Sequence, residues 1–283
     1  MSNHSRFLTK VLVVTLIGFG ASLAEAGTGS SGKAIEQAIA SNSPDAIVAE
    51  LERAEYLPCV GCISQVMKLV DHDSAKVRDV AGWWLTRRGA RQEVLAAMEA
   101  RFVGTDPTAA RNAADVLAAM RDHTAVPALG AYVKQPLDEE SGRAAARALG
   151  AIGHPTAKAH LVTAFSSSLP GVRAASAAAI RELRAPVGQT VVMDAQALLP
   201  LLADGNAQVR REAALTAGYL GDKAAVAALI TQLSDGDAKV RKAAAWALGE
   251  LKDGTARPAL QAATSDAEPF VRSIAAAALK KLR

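Results

Sequence analysis

In the stretch "SDGDAKVRKAAAWALGEL" (234–251), apolar Val240, Ala244, Ala247, Leu248 and Leu251 recur with the spacing of one helix face. The segment just before it, "KAAVAALITQLS" (223–234), has the same periodicity, and Asp235-Gly236 breaks the two runs. Residues 223–253 therefore predict two antiparallel helices, A and B, joined by a polar turn. The pattern then repeats: "ADGNAQVRREAALTAGYL" lies 31 residues earlier and "SDAEPFVRSIAAAALKKL" 31 later. With small slips the frame runs back through "VRAASAAAIREL" at 172, "SGRAAARALGAI" at 141, "AARNAADVLAAM" at 109 and "VRDVAGWWLTRR" at 77. About seven units fill residues 55–283, and a fixed period of this size is the mark of a solenoid built from stacked helix pairs. Residues 33–54, "KAIEQAIASNSPDAIVAELERA", predict an atypical helical pair capping the N-terminal end.

Local signals fit this organisation. Thr124 and Thr255 are read as helix N-caps, with Pro127 and Pro258 in the tolerant first turn. Ser43-Pro44 and Asp106-Pro107 read as cap followed by proline. The larger break is "RAPVGQTVVM" (184–193), where Arg173 to Arg210 spans 37 residues instead of 31, predicting a projecting loop.

Composition adds a second layer. Half of the chain is hydrophobic but only 4% is aromatic, and mean hydropathy is +0.13. Such a core is built from Ala, Leu and Val, which suits closely stacked helices. Residues 1–26 stand apart: a cationic "MSNHSRFLTK", an apolar "VLVVTLIGFG" and a small-residue "AEA" predict an export signal cleaved after Ala26. The apolar run is short for a membrane span, and no Cys follows the cleavage point to carry a lipid. Residues 27–32 read as a flexible linker. Loss of Arg6, Lys10 and Glu25 takes the charge from +4 to +3, too mild a balance to imply nucleic acid.

The "D-G-x-x-V-R-x-A-A-x-x-A-L-G-x-L" pattern, clearest at 235–251, resembles the HEAT-repeat superfamily in its short bacterial form, also found in phycobilisome-lyase-like proteins. The signatures of ankyrin and tetratricopeptide repeats are absent. The resemblance implies an all-α, right-handed α-solenoid with the B helices lining its concave side. It also agrees with a ladder of Asp–Arg bonds between units. Arg78, Arg173, Arg210, Arg241 and Arg272 recur near the start of helix B, and Asp204, Asp235 and Asp266 precede their own Arg by six residues. Family members that are di-iron hydroxylases use repeated His-Glu pairs; here each His precedes Ser5, Asp73, Thr124, Pro155 or Leu161.

Helical phase places Trp246 about 160° from the centre of the packing face of its helix, so it points toward the concave surface. Trp84 falls on a packing position. The same frame puts Trp83, Arg111, Arg143, Arg147, Arg181, Arg211 and Lys242 in one stripe, together with Asp79, Thr86, Asp115, Gly150, Leu215, Gly218, Ser273 and Lys280. Gly249 shares the direction of Trp246. Arg offers bidentate donors to carboxylates and Trp offers rigid contact area, a pairing suited to gripping an acidic protein partner. The competing reading leaves the cations as a solvating surface and tucks the Trp rings against neighbouring helices.

Cys59 and Cys62 form a C-x-x-C in "YLPCVGCISQVMKLV". Ile63, not His, follows the second Cys, which excludes c-type haem attachment here, and none of His72, His123, His154 and His160 is paired at zinc-ligand spacing. A local disulfide stapling the helix start and a reactive thiol pair remain the alternatives. The leading functional expectation is thus an exported, non-catalytic scaffold, periplasmic or secreted. It has no cofactor, no metal and no stable membrane anchor, and it binds a protein partner rather than nucleic acid. The alternatives are an enzyme or accessory factor using Cys59 and Cys62 for thiol redox or bilin-lyase-like cofactor handling, and a structural spacer.

Overall fold

The computed structural model describes residues 30–87, 90–183 and 195–282, and among these the chain forms sixteen α-helices and no strand. They come in consecutive pairs: α1 (Gly32–Ala40) with α2 (Pro44–Arg53), α3 (Ile63–Lys68) with α4 (Ala75–Thr86), and α5 (Arg91–Ala100) with α6 (Pro107–Met120). Next come α7 (Val126–Lys134) with α8 (Glu139–Ile152), α9 (Ala157–Thr163) with α10 (Pro170–Ile180), and α11 (Leu199–Leu202) with α12 (Ala207–Leu220). The last two pairs are α13 (Val226–Gln232) with α14 (Ala238–Leu251) and α15 (Arg257–Ala263) with α16 (Pro269–Lys281). Each even-numbered helix packs on the next even-numbered one from α2 to α16, forming an inner layer, while the shorter odd-numbered helices form the outer layer. This is an α-solenoid. The export signal expected over 1–26 and the loop expected over 184–193 lie outside the described residues. Within the stretch read as a linker, Ser31 already caps α1, which begins at Gly32.

Capping explains most helix ends. Ser43 and Asp106 cap α2 and α6 ahead of Pro44 and Pro107, as the sequence suggested. Thr124 and Thr255, expected as caps, are not. Asp122 and Asp253 accept hydrogen bonds from the backbone N–H and hydroxyl of the Thr two residues on, and so open a short 3₁₀ turn ahead of α7 and α15. A carboxylate is the stronger acceptor, so the Asp takes the cap and the Thr becomes its donor. Gly153 and Gly221 end α8 and α12 in the left-handed conformation, at φ 71° and 74°. Arg121 and Lys252 hold the same conformation at the ends of α6 and α14 without glycine's ease.

The core is a long seam of small residues. Val240, Ala244, Ala247 and Leu248 are fully buried, as their phase required, and Trp84 is fully buried with its Nε1–H donated to the Ala54 carbonyl at 3.2 Å. Gly150, Gly218 and Gly249 correct the phase argument. They are buried, because a Cβ on them would stand 2.9 Å from Ala179 Cβ, 2.7 Å from Ala247 Cα and 2.9 Å from Ala278 Cβ. The next inner helix lies directly on each of them, so they are contact points between units and not groove lining.

The Asp–Arg ladder runs between units. Arg173 donates to Asp204, Arg210 to Asp235 and Arg241 to Asp266, each through Nε and Nη2 at 2.7–2.9 Å. The Nη1 of each Arg is donated to a backbone carbonyl six residues earlier in its own turn. One guanidinium therefore stitches two units together. The partners are mostly buried, at 16–19% exposure for the Arg and 10% for the Asp side chains, so these are bidentate, half-desolvated pairs rather than loose surface ones. At the N-terminal end the carboxylate comes from elsewhere: Arg78 pairs with Asp115 of α6, which removes Asp115 from the open stripe.

Candidate functional site

Among the described residues, cavities open along the inner helices. The largest, about 1150 Å³, is bounded by α2, α4, α6 and α8 and contains Trp83, half-buried. The Arg87 guanidinium lies 4.4 Å from the Trp83 ring centroid and pairs with Glu55 at 3.2 Å, so the exposed face of this Trp is already occupied by a cation. Partial desolvation in this cavity, and then the Asp115 carboxylate, push the Asp79 carboxyl up from its usual value. A smaller cavity of about 210 Å³ holds Arg143 and Arg147, which both lean toward Glu140, at 3.3 and 3.9 Å.

The third cavity, about 470 Å³, lies between α12, α14 and α16 and brings together Arg211, Leu215, Lys239, Lys242, Trp246 and Ile274. Trp246 is half-buried. Its ring lies over Gly218 of the preceding unit, where a Cβ would come within 2.8 Å of Trp246 Cζ3. Phase pointed this ring at the concave surface; part of it is covered by the preceding unit. Lys239 and Lys242 form no ion pair among the described residues, and Lys242 Nζ stands 5.8 Å from the Phe270 ring, which is 69% exposed. Burial would raise the Glu212 carboxyl, but hydrogen bonds from Arg211 and Arg181 outweigh it and hold it below its usual value. One buried carboxylate thus serves two guanidiniums, and the cavity keeps an excess of positive charge.

Of the residues expected on the stripe, Trp83, Arg143, Arg147, Arg211, Lys242 and Trp246 line these cavities, while Arg111 and Arg181 line none of them. Arg181 is committed to the contact between α10 and α12, donating to the Glu212 carboxylate at 2.7 Å, the Glu212 carbonyl at 3.3 Å and the Thr216 hydroxyl at 2.7 Å. Arg111 is bound to the neighbouring Asn112 side chain. Phe270 and Lys239 escaped the sequence reading. They occupy the same repeat position, 31 residues apart at the start of helix B; Lys239 precedes Trp246 by two helical turns and so shares its face, but lies before Val240, where the apolar face begins.

A family model described as HEAT repeats matches residues 94–181 and 195–280, more than half of the chain. The chain belongs to the HEAT-repeat family. No curated protein matches this HEAT-repeat chain by sequence. Among solved structures, the E. coli protein YibA is 17% identical with a TM-score of 0.54, the match covering 89% of this chain and 90% of that one. An engineered protein is 21% identical with a TM-score of 0.51, over 84% of this chain and 70% of the other. At these identities the likeness is one of fold alone. The complex of CpcE and CpcF of phycocyanin lyase from a Nostoc species is 21% identical over 78% of this chain and 86% of the other, and its TM-score of 0.43 carries no argument.

Two further side-chain groups belong to the site inventory of this HEAT solenoid. Cys59 and Cys62 are joined in a disulfide, with Cα atoms 5.3 Å apart. Cys62 is buried at 3% exposure, whereas Cys59 is half-buried. His123 and His154 stack with ring centroids 5.2 Å apart. They are one repeat period apart, so the stack brings together two residues that look unrelated along the chain. Among the described residues no third His, Cys, Asp or Glu joins them in a metal-holding group.

Proposed function

We propose that this protein is an exported HEAT-repeat scaffold whose concave face, with no catalysis there, grips an acidic segment of a protein partner. The observation that carries this reading is the cavity around Trp246: a half-buried indole, apolar Leu215 and Ile274, and Lys239, Lys242 and Arg211 around them. Rigid aromatic area beside incompletely neutralised cations favours a ligand that is apolar at one point and anionic around it. Trp83 belongs to a second, larger surface lined by both signs of charge, Glu52, Glu55 and Asp79 beside Lys76, Arg87, Arg91 and Arg121, so it adds contact area more than charge. Export is supported by the cationic, apolar and small-residue order of residues 1–26, and it makes a periplasmic or secreted partner the one to seek.

The test is affinity capture from a periplasmic extract of the native host, with the chain from residue 27 as bait beside its Trp246→Ala and Lys242→Glu forms. The expected result is a partner retained by the parent and lost from both variants, with capture weakening as salt rises. If all three baits retain the same proteins, the concave cavity is not the binding surface.

A further inference from the structure

We propose that Cys59 is a thiol–disulfide exchange site, whose substrate is an extended protein segment carrying two cysteines flanked by apolar residues. This activity is separate from the groove around Trp246 and does not depend on it; its cavity shares Glu55 and Arg87 with the edge of the Trp83 cavity.

The two sulfurs are not equivalent. Cys62 is buried, whereas Cys59 lines an open cavity of about 550 Å³ together with Tyr56, Leu57, Pro58, Val60 and Ile63. Tyr56 and Val60 are 86% and 82% exposed, an unusual placement for large apolar side chains on either side of a cross-link. Gly32, at the start of α1, lies against both sulfurs: a Cβ on it would stand 3.2 Å from Cys59 Sγ and 3.3 Å from Cys62 Sγ. The open cavity gives an approach on the Cys59 side. The cross-link also spans only three positions, the kind of loop for which closing the chain removes little entropy, so stapling alone gives it a weak purpose.

The chemistry selects the occupant. The wall of the cavity holds one electrophilic sulfur, and the nucleophile that such a sulfur accepts is a thiolate. At the rim Arg87 and Glu55 pair at 3.2 Å, so selection rests on the apolar lining and on the sulfur. In the first step a substrate thiolate bonds to Cys59 Sγ, the Cys59–Cys62 bond breaks, and its electron pair leaves on Cys62 Sγ, which takes up a proton. A second substrate thiolate then attacks the substrate sulfur of the mixed disulfide and releases Cys59, which is protonated in turn. The substrate loses two electrons and two protons as its disulfide forms, and the Cys59–Cys62 pair gains them. A low-molecular-weight disulfide reoxidises the pair by the reverse exchange.

The experiment uses the oxidised protein and two synthetic dithiol peptides, identical except that Leu and Phe flank the cysteines in one and Gly and Ser in the other. The apolar peptide should open the Cys59–Cys62 bond about tenfold faster, the worth of seating one apolar side chain. That preference should vanish in the Tyr56→Ser, Val60→Ser double variant, which should open with the two peptides at equal rates. Both positions are exposed, so the fold tolerates the changes, which circular dichroism checks. In a Cys62→Ser form, a peptide carrying an activated disulfide should become linked to Cys59 with the same preference. Equal rates for the two peptides in the parent, or a preference that survives loss of Tyr56 and Val60, would overturn the proposal.

Discussion

Trp246 shows how a residue can be half core and half site. Its ring rests on Gly218, and its outer side faces the cavity formed with Leu215 and Ile274. A fully buried Trp cut to Ala costs about 3–5 kcal/mol, and a surface change stays near 0.5. Trp246→Ala is therefore expected to cost less than about 1.5 kcal/mol in urea unfolding while weakening partner capture; a larger loss with capture intact would return the ring to the core. The ladder carboxylates make a separate expectation about pH. Asp235 is held below its usual value chiefly by the hydrogen bond from Arg210, and Asp266 chiefly by that from Arg241. A carboxyl depressed in the folded state contributes stability that is complete above its unfolded pKa, about 3.9, and is lost as pH falls through the lower folded value. Stability should therefore decline below pH about 4, and Asp266→Ala should make that decline shallower. Replacing both cysteines by Ser should cost no more than about 2 kcal/mol, given the short loop, and leave capture on the concave face unchanged.

At the scale of the element, two opposing effects meet in the inner-helix glycines. Gly to Ala in a helix interior normally gains about 0.5–1 kcal/mol. At Gly218 the added methyl would meet backbone of the next helix at 2.7 Å, and overpacking of this kind costs about 1–3 kcal/mol. The clash wins, so Gly218→Ala should lower the melting temperature. Lys252→Gly should raise it, by relieving a left-handed residue at a helix end, worth about 1 kcal/mol. Much of this layer was legible in the sequence. The phase of Val240, Ala244, Ala247 and Leu248 marked the buried face, and the period located the inner helices from α4 to α16. Phase alone says which way a side chain points, however, and not what lies there. It put Gly150, Gly218 and Gly249 in the open because a neighbouring backbone lying against them leaves no trace in a single helix's pattern. For the same reason Arg181 looked free until Glu212 and Thr216 of the next unit came alongside it. The 3₁₀ turns opened by Asp122 and Asp253 were hidden because a cap two residues early does not disturb the repeat.

At the scale of the molecule, a stack of units that bury their faces only against neighbours is sensitive at its ends. The α1–α2 pair covers α4 from the N-terminal side, Ile35, Ile47 and Leu51 are fully buried, and Trp84 reaches back to Ala54. Removing residues 33–54 exposes that seam and should lower the melting temperature of the whole chain; an unchanged value would show that these residues are not a cap. The glycine contacts have a further effect at this scale. At the α8–α10, α12–α14 and α14–α16 joints they act as shims taken out of the inner side, whereas in the outer layer Gly130 of α7 faces the His160 side chain of α9 and thickness is kept. A stack thinned along one edge bends toward that edge, so the radius of the arc is recorded in absent methyl groups. Restoring them together at Gly150, Gly218 and Gly249 should straighten the molecule and lengthen its maximum dimension in small-angle X-ray scattering with little loss of helix content. The span between Trp83 and Trp246 would widen with it, and with that span the length of chain able to bridge both ends.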